Sequence, residues 1–78
     1  MTIAFVLINT ELGSEEEVRS KLLEHEEVEE AYIVYGVYDL IVKLKAEDMD
    51  QIKRTVSWKI RRMEKVRSTL TMIVMDSG

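Results

Sequence analysis

The sequence predicts an α+β fold of the ferredoxin-like βαββαβ type, with a four-stranded antiparallel sheet and two helices on one of its faces. Four apolar segments have the period-2 alternation or the composition of strands. Two segments between them have a helix-start signal or apolar residues at spacings of three and four. The resulting order is the split-βαβ arrangement, whose right-handed crossovers place both helices on the same face.

The first strand is predicted at residues 2–9, where both sides of the strand are apolar. The two alternating sets are Ile3, Phe5 and Leu7 on one side and Ala4, Val6 and Ile8 on the other. A domain of this size covers one face of its sheet with its own helices, so one set remains on an open face. We expect that face to include Ile73 and Met75 as well, and to stack on a second copy as a face-to-face homodimer.

The first helix is predicted after the turn at Gly13. Ser14 and Glu17 match the capping box, in which each side chain accepts a hydrogen bond from a free backbone N–H. Glu15, Glu16 and Glu17 also favour the positive end of the helix dipole. The helix is expected to end near His25 or Glu26.

The second and third strands are predicted at residues 30–35 and 38–45. Gly36 and Val37 between them fit a two-residue type II′ turn, which needs a positive φ at its first central residue. Asp39 stands just inside the third strand, although strands disfavour Asp. This placement predicts that the carboxylate has a specific partner.

The second helix is predicted to begin near Glu47 or Asp48, and the last strand covers residues 66–75. The helix pattern is a single apolar stripe formed by Met49, Ile52, Val56, Ile60 and Met63. Trp58 lies about 180° from that stripe at about 100° per residue. It is interpreted either as a further contact between copies or as a side chain packed within its own subunit.

Composition restricts the classes of protein. The chain has 78 residues, which indicates one domain, and no cysteine, which excludes disulfides and Cys-based zinc sites. There is no apolar run of about 18 residues, and the N-terminus lacks the basic and small-residue regions of a signal peptide. We expect a cytoplasmic protein without membrane contact, supported by oligomerisation because so small a chain is marginal alone.

The charges are unevenly distributed around a net charge of −4. The segment from Glu11 to Glu30 has nine acids and two bases, and the segment from Lys53 to Arg67 has seven bases and one acid. One interpretation is two solvated helix faces of opposite sign, side by side. The other is a basic surface that binds an acidic partner, such as another copy's acidic helix or a polyanion.

Catalytic, metal-binding and cofactor-binding residues are not expected. The single histidine, His25, follows a Glu-rich helix, where it is typical of a solvated helix end. The polar constellation is instead Gly36, Tyr38 and Asp39 with the hydroxyls of Ser68, Thr69 and Thr71. Turn amides and hydroxyls suit the carboxylate of a free amino acid, and Asp39 suits its ammonium group. The structural alternative is that Asp39 accepts backbone N–H groups and only fixes the hairpin.

The chain resembles the effector domain of the Lrp/AsnC (feast/famine) regulators, also called the RAM domain. The similar segment reads AYIVYGVYDLIVKLKAEDMDQIKRTVSWKIRRMEKVRSTLTMIVM. It has the family's G-x-Y/F-D turn at residues 36–39 and its V…[ST]-x-T pattern from Val66 to Thr71. AFVLINTELGSEEEV likewise resembles the family's first strand and helix.

This resemblance implies a homodimer that assembles into rings such as octamers or decamers, with an amino acid or similar small effector bound between dimers. The effector-binding residues carried over by position are Tyr35, Gly36, Tyr38, Asp39 and Leu40 from one subunit, and Ser68, Thr69 and Thr71 from a neighbour. Full-length members have a preceding helix-turn-helix domain, and we expect none here, with residues 1–78 forming a single effector-binding domain. We therefore expect a stand-alone, non-enzymatic module without direct nucleic-acid contact, acting on full-length Lrp/AsnC regulators or on metabolic enzymes.

Three alternatives remain. A nucleic-acid-binding protein would use the bases around Trp58, namely Lys53, Arg54, Lys59, Arg61, Arg62, Lys65 and Arg67. A small dimeric α/β-barrel enzyme shares the predicted topology but needs a deep cavity and a poised acid or base. A pure assembly partner would have the same fold with an empty effector site.

Overall fold

The computed structural model, which describes residues 1–75, has the predicted order of elements. The strands are β1 (Thr2–Thr10), β2 (Val28–Ile33), β3 (Leu40–Ala46) and β4 (Val66–Ile73), and the helices are α1 (Glu15–Leu22) and α2 (Met49–Arg54). A π-helical turn, Thr55–Ile60, continues directly from α2. The strands form one antiparallel sheet in the order β2-β3-β1-β4. The α+β, ferredoxin-like prediction is therefore confirmed.

The core lies between the helices and one face of the sheet. Its fully buried members are Ala4, Val6 and Ile8 of β1, Leu40, Val42 and Leu44 of β3, Leu22 of α1, Ile52 of α2 and Ile60 of the π-helical turn. β1 and β3 are the two central strands, so the alternation of each gives the core one complete set of side chains. Each fully buried Val, Leu or Ile side chain among them contributes about 1.5–3 kcal/mol of transfer free energy.

The other face of the sheet is not covered by the subunit's own helices. On β1 it consists of Ile3, Phe5 and Leu7, each of which is only partly buried. On β4 it consists of Met72 and Leu70, which lie opposite Phe5 and Leu7 and are about half exposed. The expectation that Ile73 and Met75 belong to this face was wrong: Ile73 lies opposite Ala4 and packs against the core, and Met75 follows the end of β4.

A β-bulge in β2 makes one half of this open face charged. The register shifts between Val28, opposite Leu44, and Glu30, opposite Lys43. The extra residue, Glu29, places its carboxylate 3.1 Å from Lys43 Nζ and 3.8 Å from Lys45 Nζ, while Glu30 lies 3.7 Å from Lys43. Glu29, above all, raises the pKa of Lys43. The open face is thus apolar along β1 and β4, and ionic where Glu29 and Glu30 of β2 meet Lys43 and Lys45 of β3. Nearer the hairpin, β2 and β3 contribute Tyr32 and Ile41 to this face.

The hairpin between β2 and β3 is longer than predicted. β2 begins at Val28, two residues earlier than expected, and ends at Ile33, while β3 begins at Leu40, two residues later than expected. The N–H of Val34 donates to the carbonyl of Asp39 at 2.9 Å, which leaves four residues in the loop. Gly36 has a φ of +155°, not the value of about +60° that a type II′ turn requires. The two-residue turn was therefore a wrong prediction.

Both ends of α1 differ from the prediction. Ser14 precedes the helix as expected, but its side chain makes no capping hydrogen bond, so the capping box with Glu17 does not form. The Ser14 carbonyl instead accepts the N–H of Val18 at 3.0 Å. α1 ends at Leu22 rather than near His25 or Glu26, because the N–H groups of Glu24 and His25 bond three residues back and tighten the chain into turns.

The second helix begins where it was predicted to begin, but it does not stay α-helical along its length. Asp48 caps α2 by accepting the N–H of Gln51 at 2.9 Å. Beyond Arg54 the helix widens: the N–H of Arg61 bonds the carbonyl of Val56, five residues back, at 2.8 Å. This widening buries Thr55 beside the apolar stripe, and its hydroxyl donates to the Gln51 carbonyl at 2.8 Å. Met49, predicted in the stripe, is exposed.

One ion pair joins the turn before β2 to the π-helical turn and makes stability depend on pH. Lys59 Nζ lies 2.8 Å from a Glu27 carboxylate oxygen, and the Glu27 side chain is 11% exposed. The hydrogen bond from Lys59 is the main cause that lowers the pKa of Glu27 below its ordinary value of 4.5. A group whose pKa is lowered by folding adds stability above its unfolded pKa and loses that contribution as pH falls through the folded value.

We therefore predict that the free energy of unfolding falls on acidification below about pH 4.5, and that Lys59→Met reduces it at neutral pH by about 1 kcal/mol or less. Titration of the Glu27 carboxyl by NMR should give a pKa that rises towards its ordinary value in Lys59→Met. Lys21→Met, which removes a longer and more exposed ion pair, is the matched control. An unchanged Glu27 pKa in Lys59→Met contradicts the assignment.

Candidate functional site

Asp39 fixes the point where the hairpin joins the central strands. Its N–H donates to the carbonyl of Ile8 at 3.0 Å, and its carbonyl accepts the N–H of Val34. Its carboxylate accepts the N–H of Thr10 through Oδ2 at 2.9 Å. The structural alternative considered for Asp39 is therefore present in the fold. Within residues 1–75, no donor bonds the second carboxylate oxygen, Oδ1, so Asp39 retains an acceptor for another molecule.

The loop before Asp39 projects from the sheet. Tyr35 and Val37 are almost completely solvent-exposed, and Tyr38 is partly buried. Gly36 lies between them with a φ of +155°, a conformation that side-chain-bearing residues rarely adopt, and a Cβ placed there would meet nothing within 4 Å. Backbone conformation rather than space therefore favours glycine here.

Leu40, the fifth residue carried over to the hairpin side of the site, has a different environment. Its side chain is 0% exposed and belongs to the core beneath the helices. It lies opposite Ile8 of β1 and Ile33 of β2. Any effect of Leu40 on a ligand in the hairpin region is therefore exerted through the position of its neighbour Asp39.

β4 divides the three predicted hydroxyls between its two sides. Ser68 lies opposite Asn9, on the open face, and accepts a hydrogen bond from the Asn9 amide at 3.4 Å. Thr69 and Thr71 lie opposite Ile8 and Val6, on the helix side. The structure thus brings Thr69 and Thr71 together and places Ser68 on the opposite side of the same edge strand.

Two grooves run along β4 on or near its helix side. One, of about 260 Å³, is lined by Arg61, Val66, Arg67, Ser68 and Thr69. The other, of about 220 Å³, has an apolar floor of Ile52, Val56 and Ile73, with Lys53, Ser57 and Thr71 at its rim. Sequence reasoning did not place Lys53 and Ser57 beside Thr71, because the π-helical turn sets which residues of that crossover face β4.

The hairpin side and the β4 side of the predicted site do not meet within one subunit. Ile8 faces Leu40, so Asp39 lies beside Asn9, and Asn9 faces Ser68. Since β1 separates β3 from β4, Asp39 and Ser68 are about 10 Å apart. Asn9 joins this polar row, and sequence reasoning missed it. The signal was available: Asn9 is a polar residue at the end of an apolar strand.

The remaining titratable groups do not form a further polar centre of the kind that holds a metal. No group of three or more His, Cys, Asp or Glu side chains in residues 1–75 is placed to hold an ion. His25 donates its backbone N–H to Leu22 at 3.0 Å in the turn after α1. None of the helices described is long and apolar enough to cross a membrane.

Comparison with known proteins identifies the domain. The sequence profile of the Lrp/AsnC ligand binding domain matches residues 3–77. The transcriptional regulator FL11 of Pyrococcus furiosus, described as of the helix-turn-helix type, is 34% identical over 94% of this chain. That match spans 48% of the regulator, so the chain corresponds to about half the length of this curated relative.

Two solved structures have nearly the same fold. FFRP-DM1 superposes with a TM-score of 0.93 at 45% identity, covering 96% of this chain and 100% of that one. The hypothetical protein PHS023 of Pyrococcus horikoshii superposes with a TM-score of 0.92 at 45% identity, covering 97% of this chain and 92% of that one. By its sequence and by its fold, this chain therefore belongs to the Lrp/AsnC ligand-binding domain family.

Proposed function

We propose that this chain is a non-enzymatic sensor of a free amino acid or a similar small effector, which binds where two copies of the domain meet. The observation that carries the proposal is the separation of the polar groups: Asp39 and the β4 hydroxyls lie on different strands of one subunit and need a second copy to converge. Effector binding then changes assembly, to the extent that the effector prefers one assembly state over another.

The open face of the sheet supports association. Ile3, Phe5 and Leu7 of β1, with Leu70 and Met72 of β4, form one contiguous apolar surface. Surfaces of this kind on small soluble domains mark interfaces. We propose that a second copy covers it by sheet-to-sheet packing, and that such dimers associate further into a ring. Neither step requires a covalent or metal-bound intermediate.

The chemistry of the separated groups fits a zwitterion. Asp39 Oδ1 is available to accept from an ammonium group, which gives a charge-assisted hydrogen bond of about 1.5–3 kcal/mol. Thr71, Ser57 and Lys53 at the rim of the apolar groove offer donors for a carboxylate. The floor of that groove, formed by Ile52, Val56 and Ile73, suits an apolar side chain. The combination favours an amino acid with an aliphatic side chain.

Isothermal titration of the protein with each of the common amino acids tests the proposal. We expect heat from at least one of them, and a loss of affinity of about 10-fold to 150-fold in Asp39→Asn. Asparagine keeps a carbonyl oxygen for the Thr10 N–H, so the hairpin should retain its position while the negative charge is lost. Glu47→Gln, which changes an exposed carboxylate just beyond the end of β3 that is far from the hairpin, is the control.

Two results would contradict the proposal. Absence of heat with every amino acid excludes amino-acid sensing. Equal affinity of the wild-type protein and Asp39→Asn for the responding amino acid removes Asp39 from the site.

We also propose an output for the bound state. The module forms mixed assemblies with full-length regulators of the same family, and effector binding to the module thereby changes the assembly of those regulators.

A further inference from the structure

The lysines and arginines of this chain divide into two groups by their partners. Within residues 1–75, five of them form ion pairs with carboxylates: Arg19, Lys21, Lys43, Lys45 and Lys59. The other six form none in the same part of the chain. All six lie between the last turn of α2 and the first residues of β4, and we call them the basic patch: Lys53, Arg54, Arg61, Arg62, Lys65 and Arg67.

Trp58 stands among these cations and is 60% exposed. The guanidinium of Arg62 lies 4.3 Å from the centre of its ring, a cation–π contact that holds both side chains in one arrangement. Tryptophan and arginine are enriched at the centres of protein interfaces, and Trp58 with the arginines around it has this composition. The π-helical turn carries Trp58 on the side opposite the buried Val56 and Ile60, so the core does not use it.

The same chain presents a surface of opposite sign. We call it the acidic surface: Glu15, Glu16, Glu17, Glu24 and Glu26, on α1 and the turn that follows it. Arg19 and Lys21 compensate Glu16 and Glu17, but within residues 1–75 no cation pairs with Glu15, Glu24 or Glu26. The acidic surface therefore has a surplus of negative charge, as the basic patch has a surplus of positive charge.

We infer that the basic patch around Trp58 docks onto the acidic surface of a second copy. The contact is head-to-tail, because it joins two different surfaces, and each copy therefore offers one free patch and one free surface to the next. A contact of this geometry builds a ring if the rotation closes. It uses the helix layer and leaves the open sheet face free, so it is independent of the sheet-to-sheet contact proposed above.

A nucleic acid would also be attracted to arginines beside a tryptophan. The charge distribution favours the second copy instead. The net charge of the chain is −4, and Asp50 and Glu64 flank the basic patch. A long polyanion that follows the patch would meet these carboxylates and be repelled by the net negative charge of the chain.

Two charge-reversal variants test the inference by their behaviour apart and together. The first is Arg61→Glu with Arg62→Glu, and the second is Glu24→Lys with Glu26→Lys. All four side chains are exposed, so both variants should fold, as circular dichroism and thermal unfolding will show. Light scattering at about 0.1 M salt should give a mass at least twofold lower for each variant alone than for the wild-type protein, because like charges then face each other.

Mixing the two variants in equal amounts should restore the mass of the wild-type assembly, since each reversed surface then meets its complement. Raising the salt from about 0.1 M to about 1 M should break the head-to-tail contacts and reduce the wild-type assembly to its sheet-to-sheet dimer, because the Debye length falls from about 10 Å to about 3 Å. Val37→Lys, which adds a charge on the exposed loop between β2 and β3 and lies in neither the basic patch nor the acidic surface, is the control and should change the mass little.

Three outcomes would overturn the inference: wild-type mass in either variant alone, failure of the mixture to regain mass, or retardation of a single-stranded oligonucleotide that Arg61→Glu with Arg62→Glu abolishes. Loss of the sheet-to-sheet dimer alone would leave a salt-sensitive, head-to-tail assembly of single subunits. The proposed function and this inference are therefore contradicted by different experimental results.

Discussion

Replacing Phe5 by glutamate is expected to abolish sheet-to-sheet pairing while the subunit stays folded. Phe5 lies at the middle of the open face, between Lys43 and Met72 in the neighbouring strands. Lys43, the neighbouring cation, already pairs with Glu29 and Glu30. Covering the added carboxylate with a second sheet therefore costs several kcal/mol, and about 4 kcal/mol weakens association roughly a thousandfold. In the single subunit the new carboxylate faces water and Lys43, so its cost to folding is small.

Analytical ultracentrifugation across a concentration series is the measurement, and it should show half the wild-type mass or less for Phe5→Glu. Leu12→Glu is the matched control, because Leu12 is almost completely exposed in the turn before α1 and lies outside the sheet. A Phe5→Glu protein that keeps the wild-type mass at micromolar concentration would show that the open face is not where copies meet.

Replacing Leu40 by alanine is expected to destabilise the subunit by about 2–5 kcal/mol, the range for removing a buried leucine side chain from a packed core. A domain of this length has a total stability of about 4–12 kcal/mol, so the loss is a large part of it. Leu40 is fully buried and lies between Ile8 and Ile33 in the neighbouring strands. Urea unfolding followed by circular dichroism gives the free energy.

The neighbouring residue separates a core role from a surface role. Ile41 lies opposite Leu7 and Tyr32 on the open face, so Ile41→Ala should change the association constant more than the free energy of unfolding of the subunit. At protein concentrations where subunits are single, Leu40→Ala should unfold at much lower urea than Ile41→Ala. Equal unfolding midpoints for the two variants would contradict the assignment of Leu40 to the core.

Sequence alone was sufficient for the topology, and the reason is periodicity. The alternating apolar residues of β1 and the stripe Ile52, Val56 and Ile60 are long-range consequences of burial, and they survive local irregularities. Each wrong boundary has a local cause that no periodic pattern contains. The bulge at Glu29 adds one residue to β2, Asp39 lengthens the hairpin by binding β1, and the π-helical turn buries Thr55.

The site was predicted less completely than the fold. The unusual position of Asp39 identified a residue with a specific partner, and the structure supplies that partner in Thr10. The alternation of β4 was readable in sequence, but which side faced the helices was not, because Leu70, Met72 and Ile73 are all apolar. This ambiguity assigned Ile73 to the wrong face. The assignment of the effector-binding residues themselves stays a prediction until a ligand is bound.

The bulge in β2 also determines where a symmetry axis can pass. A second sheet laid squarely over the first would bring Glu29, Glu30, Lys43 and Lys45 out of water over their whole length. If the partner is shifted towards β4, these four side chains stay solvent-exposed at the edge of the interface, and Phe5 and Leu7 are still covered. The twofold axis should then lie off-centre, above β1 rather than midway across the sheet. The β2–β3 side of each subunit would then extend beyond its partner and leave a recess that a small molecule could enter.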